Sequence, residues 1–102
     1  MSATPFRLPA ELTIYTVGET RHALTTWIAT LGPRATLWRL DAAGVDEADA
    51  AGVQLLLATS RSASLAGARL RLESPSHALC RASEQLGTAP IVLGTLDHGG
   101  AA

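Results

Sequence analysis

Apolar residues recur at two different spacings in this chain, and the two spacings take turns. Ala68-Arg69-Leu70-Arg71-Leu72-Glu73 alternates strictly, the mark of a half-buried strand with Leu70 and Leu72 inward and Arg69, Arg71 and Glu73 outward. The run before it, from Asp49 to about Leu65, instead sets Val53, Leu56, Leu57 and Ser60 on one helical stripe, which Leu55 and Ala58 widen. Gly67 closes that helix. A chain that alternates in this way has to cover strands with helices, and such alternation favours a mainly parallel sheet.

The rest of the chain extends the pattern. Phe6-Arg7-Leu8 and Glu11-Leu12-Thr13 read as two short strands, and Pro9-Ala10 between them suggests a tight connection, an initial hairpin that would make the sheet mixed. From Ile14 to Leu31 the spacing is helical: Val17, Leu24, Ile28 and Leu31 share a face, with Thr20 and Arg21 at its margin and Thr13 as the expected cap. Gly32-Pro33 stops this helix. Ala35 to Leu40 reads as a strand ended by Asp41. Ser76 or Ser74 caps a third helix carrying Leu79, Ala82, Ser83 and Leu86, ended by Gly87, and Ile91-Val92-Leu93 is a last short strand. The expected fold is therefore α/β, about five strands with three helices. Residues 6–94 form one domain between a flexible N-terminus at 1–5 and a flexible tail at 95–102.

Composition narrows the function classes. Hydrophobic residues make up 47% of the chain, enough for a core, and 4% are aromatic, so the core must be aliphatic. A net charge of -1 opposes nucleic-acid binding, which needs a basic stripe, and gives no electrostatic pull toward a membrane surface. No segment approaches the roughly 20 apolar residues of a membrane helix. The start, Met1-Ser2-Ala3-Thr4-Pro5, lacks the basic and apolar regions of a signal peptide, and the single cysteine, Cys80, suits a reducing compartment. A cytoplasmic location is expected.

Few residues carry chemistry. His22, His77 and His98 are too scattered for a metal site, and no pattern implies a cofactor. Cys80 follows His77 at i+3 on a helix, but nothing supplies an oxyanion hole or an orienting third group, so a buried thiol is the better reading. No glycine-rich phosphate loop is present. Ser60 and Ser64 read as a small-residue face packed on the sheet, and Ser62 as exposed. Trp38 reads as core, and Trp27, just off its helix's stripe, as partly exposed.

That leaves Val45-Asp46-Glu47-Ala48-Asp49-Ala50-Ala51-Gly52-Val53. Asp49 stands where a helix N-cap belongs; its carboxylate can accept exposed N–H groups and complement the helix dipole, about 1 kcal/mol. Gly52 permits close approach of another backbone or of a partner. Asp46 and Glu47 read as a solvated acidic pair.

Here the chain resembles the STAS domain, the fold of the anti-sigma factor antagonists. Three segments carry the resemblance: Leu8-Pro9-Ala10-Glu11-Leu12-Thr13, Leu40-Asp41-Ala42-Ala43-Gly44-Val45, and Asp49-Ala50-Ala51-Gly52-Val53, similar to the family's Asp-Ser-Ser-Gly-Leu. In phosphorylated members the residue after that Asp is Ser or Thr. Here it is Ala50, followed by Ala51, and neither has a hydroxyl. The resemblance thus implies a non-catalytic docking domain, without the phosphorylation switch, that uses Asp46, Glu47, Asp49, Gly52 and Val53 at its docking loop and helix start. Asp49 to Leu56 and Leu8 to Tyr15 are most similar to the small single-domain STAS proteins of bacterial chemotaxis clusters, which implies a histidine kinase or another switch kinase as partner. A second branch, the STAS subunit of phospholipid-transport ABC complexes, implies an ABC ATPase; a third reading is a phospho-independent anti-sigma factor antagonist. A homodimer is compatible with each. After Ile91-Val92-Leu93 no amphipathic run remains for the family's last helix, and its loss is expected to bare an apolar surface on the sheet.

Overall fold

The computed structural model describes residues 4–87. Within them lie five strands and three helices in the order β1 (Phe6–Arg7), β2 (Glu11–Leu12), α1 (Val17–Ala29), β3 (Leu37–Asp41), β4 (Glu47–Ala48), α2 (Ala50–Leu65), β5 (Arg69–Glu73) and α3 (His77–Gln85). The α/β fold is the one expected. The expected strand at Ile91–Leu93, both termini and the question of the family's last helix lie outside the described residues.

The expected hairpin is not formed. β1 pairs with β3 and β2 with β4, both parallel, and β3 pairs in parallel with β5. Pro9 is the physical reason. The Leu8 N–H donates to the Asp41 carbonyl at 2.9 Å, Pro9 has no N–H to offer a hairpin partner on the other edge of β1, and the Ala10 carbonyl accepts from Asp46 and Glu47 at 2.7 and 3.1 Å. The chain therefore steps from one parallel partner to the next instead of reversing. It builds a three-stranded sheet in the order β1-β3-β5 and a two-stranded sheet of β2 and β4.

Strand alternation sorts the larger sheet's two faces. Trp38, Leu40, Leu70 and Leu72 are buried and share one core with Leu24 of α1, Val53, Leu56 and Ala63 of α2, and Leu79 and Ala82 of α3. Trp38 is core as expected, and Trp27 is half-buried, with its ring 5.7 Å from that of Phe6 and its Nε1 donating to the Thr4 carbonyl at 3.2 Å. The opposite face presents Leu37, Arg39 and Asp41 of β3, Arg69, Arg71 and Glu73 of β5, and Arg7 of β1. Among the described residues this face is mainly charged.

Helix boundaries and faces also differ in part. α1 begins at Val17, not Ile14, because residues 13–16 form a turn of their own. The Thr16 hydroxyl accepts from the Thr13 N–H at 3.0 Å and donates to the Glu11 carbonyl at 2.8 Å, satisfying backbone groups that a helix would otherwise use. Thr20, placed at the margin, is buried. On α2 the buried stripe is Gly52, Val53, Leu56, Thr59 and Ala63, rotated from the expected one so that Leu57 and Ser60 are half-buried and Ser64 is exposed. The Thr59 hydroxyl donates to the Leu55 carbonyl at 2.7 Å, which lets a polar residue enter the stripe without an unmet donor. On α3, Ser76 is the cap, accepting from the Leu79 N–H at 3.1 Å; Leu86 is exposed rather than core, and Cys80 is half-buried rather than buried.

Candidate functional site

Asp49 caps α2 as its sequence position implies, and it also makes a long-range bond that no local pattern announces. Its Oδ1 accepts from the Gly52 N–H at 3.2 Å, while its Oδ2 accepts from the Ile14 N–H at 3.0 Å, across 35 residues of chain. One carboxylate therefore ties the turn before α1 to the start of α2. The Ile14 amide, more than any other group, holds the Asp49 carboxyl below its ordinary value; burial works the other way, and the Gly52 and Ala51 amides add to the lowering.

Gly52 and Val53, expected to help form a docking surface, are buried. A Cβ at Gly52 would run into the Leu12 carbonyl oxygen and lie 2.9 Å from Leu12 Cγ. The backbone that Gly52 admits is therefore that of β2, inside the domain. The remaining residues of the segment do face outward: Asp46, Glu47 and Ala50 are exposed, and Asp49 and Ala51 are half-buried. Glu47 is not loop but strand, in register with Glu11, so two carboxylates stand side by side across the β2–β4 pair. Among the described residues neither they nor Asp46 and Asp49 form an ion pair.

Two neighbours escaped the sequence reading. Ile14 and Tyr15, taken there as the first turn of a helix, are 62% and 88% exposed on the turn that Asp49 holds. The only sequence sign of them was the Thr13 and Thr16 pair, whose hydroxyls build that turn. Beside Ala51 a groove of ≈ 620 Å³ runs between α1 and α2, with Val17, Leu24, Ile28 and Leu55 along its walls and Arg21 and Gln54 among its polar lining. The site thus combines a fixed apolar prominence, two alanines, a groove and an uncompensated acidic rim.

Among the described residues no three His, Cys, Asp or Glu side chains gather as a metal would require. Cys80 Sγ lies 3.9 Å from the Pro75 carbonyl oxygen, turned toward its own backbone, and His77 is exposed. No described helix is long and apolar enough to cross a membrane.

The described residues form a small parallel α/β domain in which Asp49 braces the start of α2. The family model described as "Mlab, STAS domain" matches residues 3–93, and the chain belongs to the STAS domain family. No curated protein and no solved structure gives a match. STAS domains are generally non-catalytic and commonly bind protein partners, so membership points to an interaction role of the anti-sigma-antagonist kind.

Proposed function

We propose that this chain is a non-catalytic, cytoplasmic protein-interaction domain of bacterial signalling, whose partner is a chemotaxis-type histidine kinase or another switch kinase. The observation that carries the reading is the Asp49 brace, which ties the Ile14 backbone amide to the start of α2 and so holds the turn that bears the exposed Ile14 and Tyr15. A turn already held in place loses little backbone freedom on docking, and an exposed aromatic residue is of the kind that anchors interfaces. Glu11, Asp46, Glu47 and Asp49 around it call for a partner pocket that is apolar at its centre and basic at its rim. Ala50 and Ala51 cannot accept phosphate, so docking is constitutive where a phosphorylatable relative would be repelled by phosphate beside these carboxylates.

A second reading, an ABC-transport ATPase as partner, is favoured by the short Asp49-Ala50-Ala51-Gly52 helix start, which resembles that of the phospholipid-transport STAS subunits. One experiment separates them. The immobilised protein is titrated with the purified histidine kinase, switch kinase and ABC ATPase from the same genome. Saturable binding to a kinase, weakened by Tyr15→Ala and by Ala50→Glu and unchanged by ATP, is the expected result. Binding to the ATPase alone replaces the first reading with the second; binding that ignores both substitutions removes the site. Intact mass after incubation with kinase and ATP should be unchanged, and a stoichiometric phosphate would contradict the constitutive state.

A further inference from the structure

Uncovered among the described residues, the face of the β1-β3-β5 sheet opposite the helices carries four of the eight basic residues of the chain, all of them arginine: Arg7, Arg39, Arg69 and Arg71. Two are compensated. Arg39 grips Glu73 through two bonds, Nε to Oε2 at 2.7 Å and an Nη to Oε1 at 3.2 Å, and Arg7 lies 4.0 Å from Asp41. Arg69 and Arg71 have no carboxylate within ion-pair reach among the described residues. Arg71 is also the register partner of Arg39, so two like charges stand on directly opposed residues of neighbouring strands, an unfavourable pairing that Glu73 relieves through Arg39 alone. Leu37, the register partner of Arg69, is 39% exposed beside them.

We infer that this face is a second docking surface, distinct from the helix-start site, and that its occupant is an extended acidic segment of a partner protein with carboxylates on alternate residues. The spacing carries the argument. Arg69 and Arg71 are two residues apart on one strand, so their side chains leave the same face about 7 Å apart. Alternate side chains of an extended peptide have that same separation, and guanidinium groups bind carboxylates in paired, planar fashion. Leu37, beside Arg69 on the neighbouring strand, supplies apolar contact at that end of the row. Nucleic acid fits less well, because it needs several phosphate contacts while Asp41 and Glu73 share this face and the whole chain carries a net charge of -1. The same two carboxylates oppose an anionic bilayer, whose attraction for two uncompensated arginines is weak.

The test uses the full chain and a short fluorescein-labelled peptide of alternating Glu and Thr, followed by anisotropy at low salt. The expected result is saturable binding that weakens by about two- to thirtyfold in the Arg69→Gln/Arg71→Gln double variant, with the circular dichroism spectrum unchanged. Glu73→Gln frees the Arg39 guanidinium and should tighten binding, by up to about fivefold. Tyr15→Ala, at the other site, should leave this binding unchanged, so the two sites fail or stand separately. The inference is overturned if the peptide with Gln in place of Glu binds equally, if the double variant binds as the parent does, if Glu73→Gln weakens binding, or if phosphatidylglycerol vesicles are bound and the peptide is not.

Discussion

Gly52→Ala should destabilise the domain, and Gly18→Ala should not, although both glycines lie in the first turns of helices. In a solvated helix, alanine in place of glycine gains roughly 0.5–1 kcal/mol, because glycine surrenders more backbone freedom on folding. At Gly18 nothing lies within 4 Å of an added Cβ, so that gain should be realised. At Gly52 the added carbon would overlap the Leu12 carbonyl oxygen and crowd Leu12 Cγ at 2.9 Å and the carbonyl carbon at 3.0 Å. The obstructing group is backbone, and it cannot swing away as a side chain end can. Moving it disturbs the bond that the Leu12 carbonyl accepts from the Asp49 N–H at 3.3 Å and the adjoining β2–β4 pairing. Forced overlap of this kind costs about 1–3 kcal/mol, and a weakened backbone hydrogen bond about 1 kcal/mol more. Subtracting the gain in helix propensity leaves a net loss of about 2 kcal/mol, or roughly 10 °C in Tm for a domain of this size. Urea titration of both variants, followed by circular dichroism, measures the difference directly. Equal stability for the two variants, or a more stable Gly52→Ala, would refute the packing of α2 against β2 described above.

Three further outcomes test other parts of the structure. Asp49→Asn keeps a capping oxygen but loses the charge; because the folded carboxyl sits below its ordinary value of 3.8, the advantage of the parent over the variant should be full above that pH and fade as pH falls further, which acid-dependent urea midpoints measure. Leu72→Ala removes a fully buried side chain and should cost about 2–5 kcal/mol, whereas Leu65→Ala, at a position 84% exposed, should stay within about 0.5 kcal/mol by the same assay. Ser76→Ala deletes the α3 cap and should cost about 1 kcal/mol, with Ser76→Asp close to the parent.

The parts legible in the sequence are those set by local chemistry. The strict alternation at Ala68–Glu73 gave β5 and both of its faces, and Asp49 and Ser76 gave the starts of α2 and α3, because a strand's side-chain period and a cap's acceptor are decided within a few residues. The misses are non-local. Pro9 has two ways to end a ladder, reversal or a step to a new partner, and only the positions of β3 and β4 choose between them. Glu47–Ala48 has too little sequence to announce a strand and exists because β2 lies alongside it. Ile14 and Tyr15 continue a helical spacing in the sequence, yet the Thr13 and Thr16 hydroxyls and the Asp49 carboxylate offer their backbone a competing set of bonds.

The same distinction divides the site itself. Asp49 and Gly52 are the residues that make the motif recognisable, and both are spent inward: one on two amides of its own chain, the other on the space that Leu12 occupies. On the proposed function, the frame of this surface is set by bonds and packing within the chain, and most of the contacts to a partner fall on other side chains. Residues free to vary the partner, Ile14, Tyr15, Ala50, Asp46 and Glu47, stand on that frame with exposed side chains. Loss of binding on replacing Asp49 or Gly52 therefore reports on the frame and must come with a change in stability. Substitutions at Tyr15 or Ala50 should instead alter affinity at constant stability, so measuring both quantities on one set of variants separates the builders of the site from its contacts.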